Sequence, residues 1–182
     1  MILTDREIQK LLKSRLISIE PKPPLDAYDS TAVDLTLDPL IRVFRTIAPG
    51  LIIDPGAPGY KATELIRSAT DPLTIPEQGW DLPRGTLVLG WTKERVNLDF
   101  KGKVAGRVEG KSGLARIGLG VHVTAPTIHA VFPGTIQLEL VNHGPLPIKL
   151  RPGMPICQLI IEMIKGTPSK AHKSQFHGQS AR

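Results

Sequence analysis

The chain opens with a helical pattern of apolar positions. Apolar residues at positions 8, 11 and 12 form one stripe, and this spacing predicts a short helix over residues 5–14. Just before the stripe, Thr4 and Glu7 have the spacing of a capping box. A proline-rich linker follows and ends this N-terminal unit near residue 25, because proline cannot continue a helix or a central strand.

After residue 85 the pattern changes to short apolar runs separated by glycine, proline and asparagine, which are typical turn residues. Two helical turns are expected earlier, over residues 62–69. The predicted strands cover residues 32–37, 86–89, 104–108, 119–124, 135–141, 148–150 and 156–163. This series of short strands predicts a mainly β fold, a distorted jelly roll or β-barrel with a short N-terminal helix.

Composition supports the β interpretation and sets the scale of the molecule. The 182 residues include 17 glycines and 17 prolines, while aromatic residues make up only 4%. That mixture suits strands and tight turns better than a helical bundle, and the length suits one domain over residues 1–182. Residues 166–182 are polar and basic without periodicity, so they predict a C-terminal tail.

The formal net charge of +6 attracts polyanions, but the cations are neither clustered nor interleaved with aromatic residues. A nucleic-acid partner is therefore not expected. No apolar stretch approaches the roughly 20 residues that span a bilayer, and the first residues lack a signal-peptide pattern. We expect a cytoplasmic protein without a membrane partner. The lone Cys157 lies in an apolar run and predicts a buried structural thiol.

Three common catalytic motifs are incomplete. The segment GRVEGKS at 106–112 has one residue too few between its glycines for a P-loop, and later glycines argue against the helix that should follow. Zinc-dependent nucleobase deaminases need His-x-Glu and Pro-Cys-x-x-Cys, whereas one cysteine is present and no histidine has glutamate two positions on. A Gly-x-Ser-x-Gly elbow is absent. We therefore predict neither zinc nor protein metal ligands.

The most informative block is EGKSGLAR at 109–116, LGVHVTA at 119–125 and PGTIQLELVN at 133–142, followed by LRPGM at 150–154. In order and spacing these segments resemble dCTP deaminases and their trimeric dUTPase relatives. Weaker similarity to the deaminase branch, in LTDREI at 3–8 and VDL at 33–35, extends the resemblance over most of the chain. The resemblance implies a dUTPase-like fold, a homotrimer with active sites between subunits, and a deoxynucleoside triphosphate bound with Mg²⁺.

Glu139 is the candidate for the proton transfers. Hydrolytic deamination of cytosine needs a group that takes a proton from water and later gives one to ammonia, and one carboxylate with a tuned pKa can do both. Ile136, Leu138 and Leu140 share one face of the predicted strand, which leaves Glu139 on the other. Alternation alone favours an ordinary solvated glutamate, whereas the resemblance implies the catalytic group.

The resemblance also assigns the groups around the water and the phosphates. Arg116 and the backbone carbonyl of Ala125 are implied to hold the attacking water, and Arg116 would keep the carboxylate ionised. An interface salt bridge is the other role open to this arginine. Lys111 and Ser112 match positions that bind the triphosphate, through charge and directed hydrogen bonds.

The C-terminal tail resembles the family's segment that closes over bound nucleotide, which excludes water. By this resemblance Phe176 covers the site and Gln179 contacts the nucleotide, while Lys170 or Lys173 reaches the phosphates. A tail without order in the absence of ligand is the alternative interpretation.

Two substrate-binding candidates depart from the family pattern. Thr127 stands where many deaminases have arginine, and His129 stands where both branches usually have aspartate. In dUTPases that aspartate orients the hydrolytic water, so its absence counts against dUTP hydrolysis more than against deamination. His129 could still donate to a 3′-hydroxyl, and we hypothesise a divergent deaminase subgroup.

Our first functional hypothesis is deamination of dCTP to dUTP and ammonia without a catalytic metal. The enzymatic alternative is dUTP diphosphatase, or both reactions in one site. A third hypothesis is a non-catalytic nucleotide-binding relative with a regulatory role.

Overall fold

The computed structural model describes residues 1–45, 52–98 and 103–166. Short helices and many strands follow one another along these residues, as the apolar pattern predicts. The helices are α1 (Asp5–Lys13), α2 (Ala62–Ala69) and α3 (Ser112–Arg116). The strands are β1 (Ser18–Glu20), β2 (Tyr28–Asp29), β3 (Ala32–Thr36), β4 (Leu40–Phe44), β5 (Thr70–Thr74), β6 (Trp80–Leu82), β7 (Leu87–Asn97), β8 (Val104–Gly110), β9 (Leu119–Gly120), β10 (Thr127–Ile128), β11 (Pro133–Asn142), β12 (Ile148–Leu150) and β13 (Pro155–Met163).

The strands form two large antiparallel sheets and one small one. The six-stranded sheet has the order β5-β4-β7-β11-β9, with β1 also paired to β7. The five-stranded sheet has the order β10-β8-β13-β3-β2, and β12 pairs with β6. The prediction of a mainly β fold with a short N-terminal helix is therefore confirmed.

One cluster of buried apolar side chains joins both sheets. Leu35 of β3, Leu140 of β11 and Leu159 of β13 are completely buried in it, and Ile8 of α1 packs into the same cluster. Burying a side chain of this kind contributes roughly 1.5–3 kcal/mol. The amide of Leu3 donates to the carbonyl of Ile161 at 2.9 Å, so the N-terminal segment is tied directly to β13.

The predicted capping box at the start of α1 is wrong. Thr4 has the extended backbone of an N-cap residue, but its side chain makes no capping hydrogen bond. Glu7 is engaged elsewhere, since its carboxylate accepts from Lys10 at 2.5 Å on the helix surface. The helix itself is confirmed because its apolar stripe packs against the sheets.

Two predictions near the informative block also fail. The strand predicted over residues 119–124 ends at Gly120, because beyond it the amide of Val123 donates to the Glu139 side chain instead of a neighbouring strand. The glycines after Ser112 do not prevent a helix either, since α3 runs through Gly113 for about one turn.

Among the helices of the described residues, none has the length and apolar character needed to cross a membrane. Cys157 is buried, as predicted. Burial raises the pKa of its thiol well above the usual range, and the nearby carboxylates of Glu94 and Asp34 add to the increase.

Candidate active site

Glu139 lies on the face of β11 that turns away from the core. Its neighbours Leu138 and Leu140 are buried, while Glu139 has intermediate exposure, so the predicted alternation is correct. Across the sheet, Glu139 is opposite Leu89 of β7. A carboxylate on a paired strand is held by the register of that strand, which fixes its backbone position more firmly than a loop would.

One oxygen of Glu139 is fixed by the loop that follows β9. The amide of Val123 donates to Oε2 of Glu139 at 3.3 Å. The loop starts where Gly120 pairs with Val141 of β11, two residues from the carboxylate. Ala125 is exposed further along the same loop, so the residue predicted to present a carbonyl to the water belongs to the segment that lies over Glu139.

Helix α3 is attached to β11 through an unusually close approach of two glycines. Gly118, with φ of +95°, follows the helix, and a Cβ built on it would lie 2.2 Å from the backbone nitrogen of Gly144. The amide of His143 donates to the carbonyl of Gly118 at 2.8 Å. The end of α3 is thereby fixed to the turn that follows β11, the strand of Glu139.

The turn after β11 is fixed in its own right by Asn142, which is completely buried. Its side-chain amide donates to the carbonyls of Leu82 at 3.0 Å and Leu146 at 2.9 Å, and its oxygen accepts from the amide of Gly144 at 2.9 Å. All three bonds satisfy backbone groups, one in β6 and two in the turn that follows β11. The helix and the carboxylate are thus held by one rigid polar centre.

Arg116 is the last residue of α3, and its side chain is exposed. Among the ion pairs within the described part of the chain, none joins Arg116 to Glu139. Ser112, at the start of the same helix, is exposed as well. A single chain therefore brings Glu139, the Val123 amide and the loop of Ala125 together, but leaves the arginine unpaired with the carboxylate.

Lys111 connects β8 to α3 and has a partner that the sequence did not suggest. Its ammonium group forms an ion pair with Oδ2 of Asp34 on β3, and Nε2 of Gln158 on β13 donates to Oδ1 of the same carboxylate at 3.2 Å. The one available signal was the placement of Asp34 between the apolar residues of a predicted strand, where a charged side chain usually needs a partner.

A second cluster of charged side chains lies on the same sheet. Arg107 of β8 lies 3.3 Å from Glu109 and 3.3 Å from Glu162 of β13, and His122 approaches Glu109 at 3.8 Å. Thr127 of β10 is directly opposite Arg107 and is exposed, as is His129. Thr127 therefore lies beside the charged side chain of Arg107, and His129 follows directly after β10.

Two further expectations concern the tail and metals. Phe176, Gln179 and the lysines at 170 and 173 fall outside the described residues. Within the described ranges, no three His, Cys, Asp or Glu side chains are grouped so that they could hold a metal ion. The acidic side chain nearest to Lys111, that of Asp34, has both of its oxygens engaged by protein donors.

Comparison with solved structures shows the fold. A 2′-deoxycytidine 5′-triphosphate deaminase from Agrobacterium tumefaciens superposes with a TM-score of 0.67 at 22% identity, over 88% of this chain and 47% of that one. A variant of the dUTPase of Staphylococcus bacteriophage 80alpha superposes with a TM-score of 0.51 at 11% identity, over 90% and 95% of the two chains. The predicted dUTPase-like form of the β fold is confirmed.

Comparison with known sequences shows the family. A protein named dCTP deaminase from Rhodospirillum rubrum is 38% identical over 175 residues, 94% of this chain and 87% of its own. Another of that name, from a Shewanella species, is 37% identical over 176 residues, 96% of this chain and 90% of its own. Residues 2–164 match the family model described as dCTP deaminase-like. With the fold, the relatives and the family model in agreement over nearly its whole length, this chain belongs to the dCTP deaminase-like family.

Proposed function

We propose that this protein hydrolyses the C4 amino group of dCTP and releases dUTP and ammonia. The observation that carries the proposal is the identity of 36–38% to proteins named dCTP deaminase over nearly the whole chain. The half-buried Glu139 of β11, whose carboxylate accepts from the backbone amide of Val123, supplies the kind of group that the reaction needs.

In this reaction Glu139 acts as base and then as acid. It takes a proton from water as the water oxygen bonds to C4 of the pyrimidine. The carboxyl then protonates the amino nitrogen, the C4–N bond breaks, and ammonia departs. The remaining hydroxyl proton is transferred to ring N3, which is unprotonated in cytosine and protonated in uracil, as the C4 carbonyl of dUTP forms. One water is therefore consumed for each ammonia released.

The proposed assembly is a homotrimer in which a neighbouring subunit contributes Arg116 to the site. Two features support it: Arg116 is exposed and does not pair with Glu139 in its own chain, and apolar side chains beside both groups face outward. Ile117, directly after Arg116, is 51% exposed, and Val123, whose amide holds Glu139, is 58% exposed. Apolar surface at a functional site is typical of a contact with another subunit. The Ala125 carbonyl would share the water with Arg116.

In the proposed complex the triphosphate lies near the start of α3, bonded by Lys111 and Ser112. Magnesium would come with the nucleotide, coordinated by phosphate oxygens and water. Thr127 and His129 would influence sugar selection, and Phe176 and Gln179 would close over the nucleotide. These assignments, like a cytoplasmic location, stay predictions.

The test is to incubate purified protein and magnesium with dCTP or with dUTP, and to separate the products by ion-exchange chromatography. We expect dCTP to yield dUTP with an equal amount of ammonia. If dUTP yields dUMP and pyrophosphate, the enzyme is also a diphosphatase, and our argument from the missing aspartate at position 129 fails. If neither nucleotide is converted although both bind, the protein is a non-catalytic relative.

A further inference from the structure

The ion pair of Lys111 and Asp34 is built from strand register rather than from flexible surface chains. Asp34 of β3 is directly opposite Gln158 of β13, and Gln158 is in turn opposite Glu109 of β8. Gln158 donates to one oxygen of Asp34, and Lys111 bonds to the other. Both oxygens of the carboxylate are therefore used, so its orientation is fixed before any ligand arrives.

This pair is also better shielded than the other lysine and arginine pairs of the described residues. The side chains of Lys111 and Asp34 are 28% and 18% exposed, whereas those of Lys149 and Asp81 are 46% and 61% exposed. Exposed ion pairs contribute little, because solvent and salt screen them and both side chains must be ordered. Shielding from solvent makes the Lys111 pair a stronger restraint on the position of its ammonium group.

A lysine that binds phosphate must have its flexible side chain ordered. Its four-carbon chain loses up to about 2 kcal/mol of rotamer freedom when fixed. Lys111 is the single residue between β8 and α3, and its backbone is extended. Ser112, the first residue of α3, follows it directly. An ammonium group has three donors, so a bond to one carboxylate oxygen leaves donors for phosphate oxygens.

We propose that Asp34 is a positioning residue for triphosphate binding, which acts through Lys111 by holding its ammonium group beside the start of α3. The proposal rests on the proposed function in that Lys111 must bind the nucleotide's phosphates. It gives β3, for which the sequence predicted no residue of the site, a role in binding the substrate.

The test is a double-mutant cycle of Asp34→Asn and Lys111→Met, with Asp81→Asn as the matched control, since Asp81 pairs with Lys149 across two antiparallel strands. Affinity is measured by calorimetry with α,β-imido-dUTP, a triphosphate that neither deamination nor cleavage between the α and β phosphates consumes. In parallel, kcat and KM are measured for dCTP. We expect Asp34→Asn to weaken binding and raise KM about tenfold, with kcat changed less than about twofold. In the Lys111→Met background it should add almost nothing, and Asp81→Asn should change neither quantity.

Three results for Asp34→Asn would overturn the proposal. The first is unchanged affinity, and the second is tighter binding, which would mean that Asp34 competes with phosphate for Lys111. The third is an equal loss of affinity with and without Lys111, which would mean that Asp34 has a structural role. If Asp34→Asn does not fold, Gln158→Met removes only the other hydrogen bond of Asp34. It should weaken binding about threefold, again only when Lys111 is present. The calorimetry needs no turnover. A wild type that binds the analogue but does not deaminate dCTP therefore refutes the proposed function, while the mutant cycle still decides the role of Asp34. A wild type that binds no triphosphate refutes both.

Discussion

At the scale of single residues, the decisive property of Glu139 is its incomplete set of partners. One oxygen accepts from the Val123 amide, and the other has no bond to a described residue of the same chain. A carboxylate held at one oxygen keeps a fixed orientation while the second remains available to a water molecule. A fully bonded carboxylate such as that of Asp34 is suited to holding other groups instead.

Replacing Glu139 with glutamine should separate binding from chemistry. The amide keeps the shape of the side chain but cannot accept the proton, so we expect kcat to fall by about 10²–10⁴-fold while nucleotide affinity changes little. Steady-state kinetics with dCTP and calorimetry with α,β-imido-dUTP measure the two effects. Glu162→Gln, on a strand and of similar exposure, is the control and should keep its activity. Near-normal turnover of Glu139→Gln would remove this residue from the mechanism.

The alternation of apolar and polar residues was enough to predict the orientation of Glu139, because adjacent positions on a strand point to opposite faces. It could not predict the partner of Lys111. Asp34 is 77 positions away in sequence, and the two meet only because β13 pairs with both β3 and β8. The pattern along a strand predicts which side chains lie on each face. The pairing of strands that are distant in sequence decides which other side chains they contact.

The buried thiol of Cys157 gives a prediction about alkaline stability. Its pKa is raised in the folded chain, mainly by burial, while an unfolded thiol titrates near pH 8.5. Above that pH the unfolded chain loses a proton that the folded chain keeps. The free energy of unfolding should therefore fall by up to about 1.4 kcal/mol per pH unit from this group. Urea unfolding between pH 7 and about pH 10 should show a steeper decline for the wild type than for Cys157→Ala. Parallel curves would contradict the assignment.

At the scale of elements, runs that combine clear apolar character with flanking turns were predicted well. The helix α2 and the strand β12 have the predicted bounds, and β11 and β13 differ by one or two residues. The strand β7 continues well beyond the predicted run, to Asn97. Its second half alternates exposed Lys93 and Arg95 with buried Glu94 and Val96. Burial of Glu94 is possible because Thr36 donates to it through both its amide and its hydroxyl, and no local pattern reveals such a distant donor.

The contact between α3 and the turn after β11 can be tested with two glycines of similar backbone conformation. Gly118 and Gly59 have φ of +95° and +80°, but only Gly118 would place a Cβ against backbone atoms. Alanine at Gly59 should cost about 1–2 kcal/mol from the left-handed conformation alone. Alanine at Gly118 should cost at least about 3 kcal/mol and lower activity, because the end of α3 must move. Urea unfolding and kcat/KM measure the two effects, and equal losses would show that the glycine contact is unimportant.

At the scale of the whole molecule, the proposed trimer explains why a reactive constellation is incomplete in one chain. In a ring of three subunits, each contact joins two different surfaces, so Arg116 of one chain and Glu139 of the next can meet at every interface. The single-domain organisation over residues 1–182 and the trimer both stay predictions. Light scattering should give three times the 19.8 kDa of the chain.

Mixed trimers give the sharper measurement. Arg116→Ala and Glu139→Gln should each be inactive alone. When equal amounts are unfolded together and refolded, about a quarter of the sites should combine an intact Arg116 with an intact Glu139 from another subunit, and activity should return to that extent. Each variant unfolded and refolded on its own is the control and should stay inactive. If mixing restores no activity, both residues act within one chain, or the protein is not an oligomer.

The position of β3 also has a consequence for how the protein is made. The strand is complete once residue 36 has been synthesised, but the five-stranded sheet places β13 between β3 and β8. On a ribosome, β2 is the only partner of β3 within this sheet until Pro155–Met163 has been translated. Asp34 therefore spends most of translation without Gln158, and the proposed phosphate-binding arrangement of Asp34, Gln158 and Lys111 cannot assemble early. If Lys111 binds the triphosphate as proposed, nucleotide should bind only after β13 has been translated, and it should not stabilise shorter nascent chains.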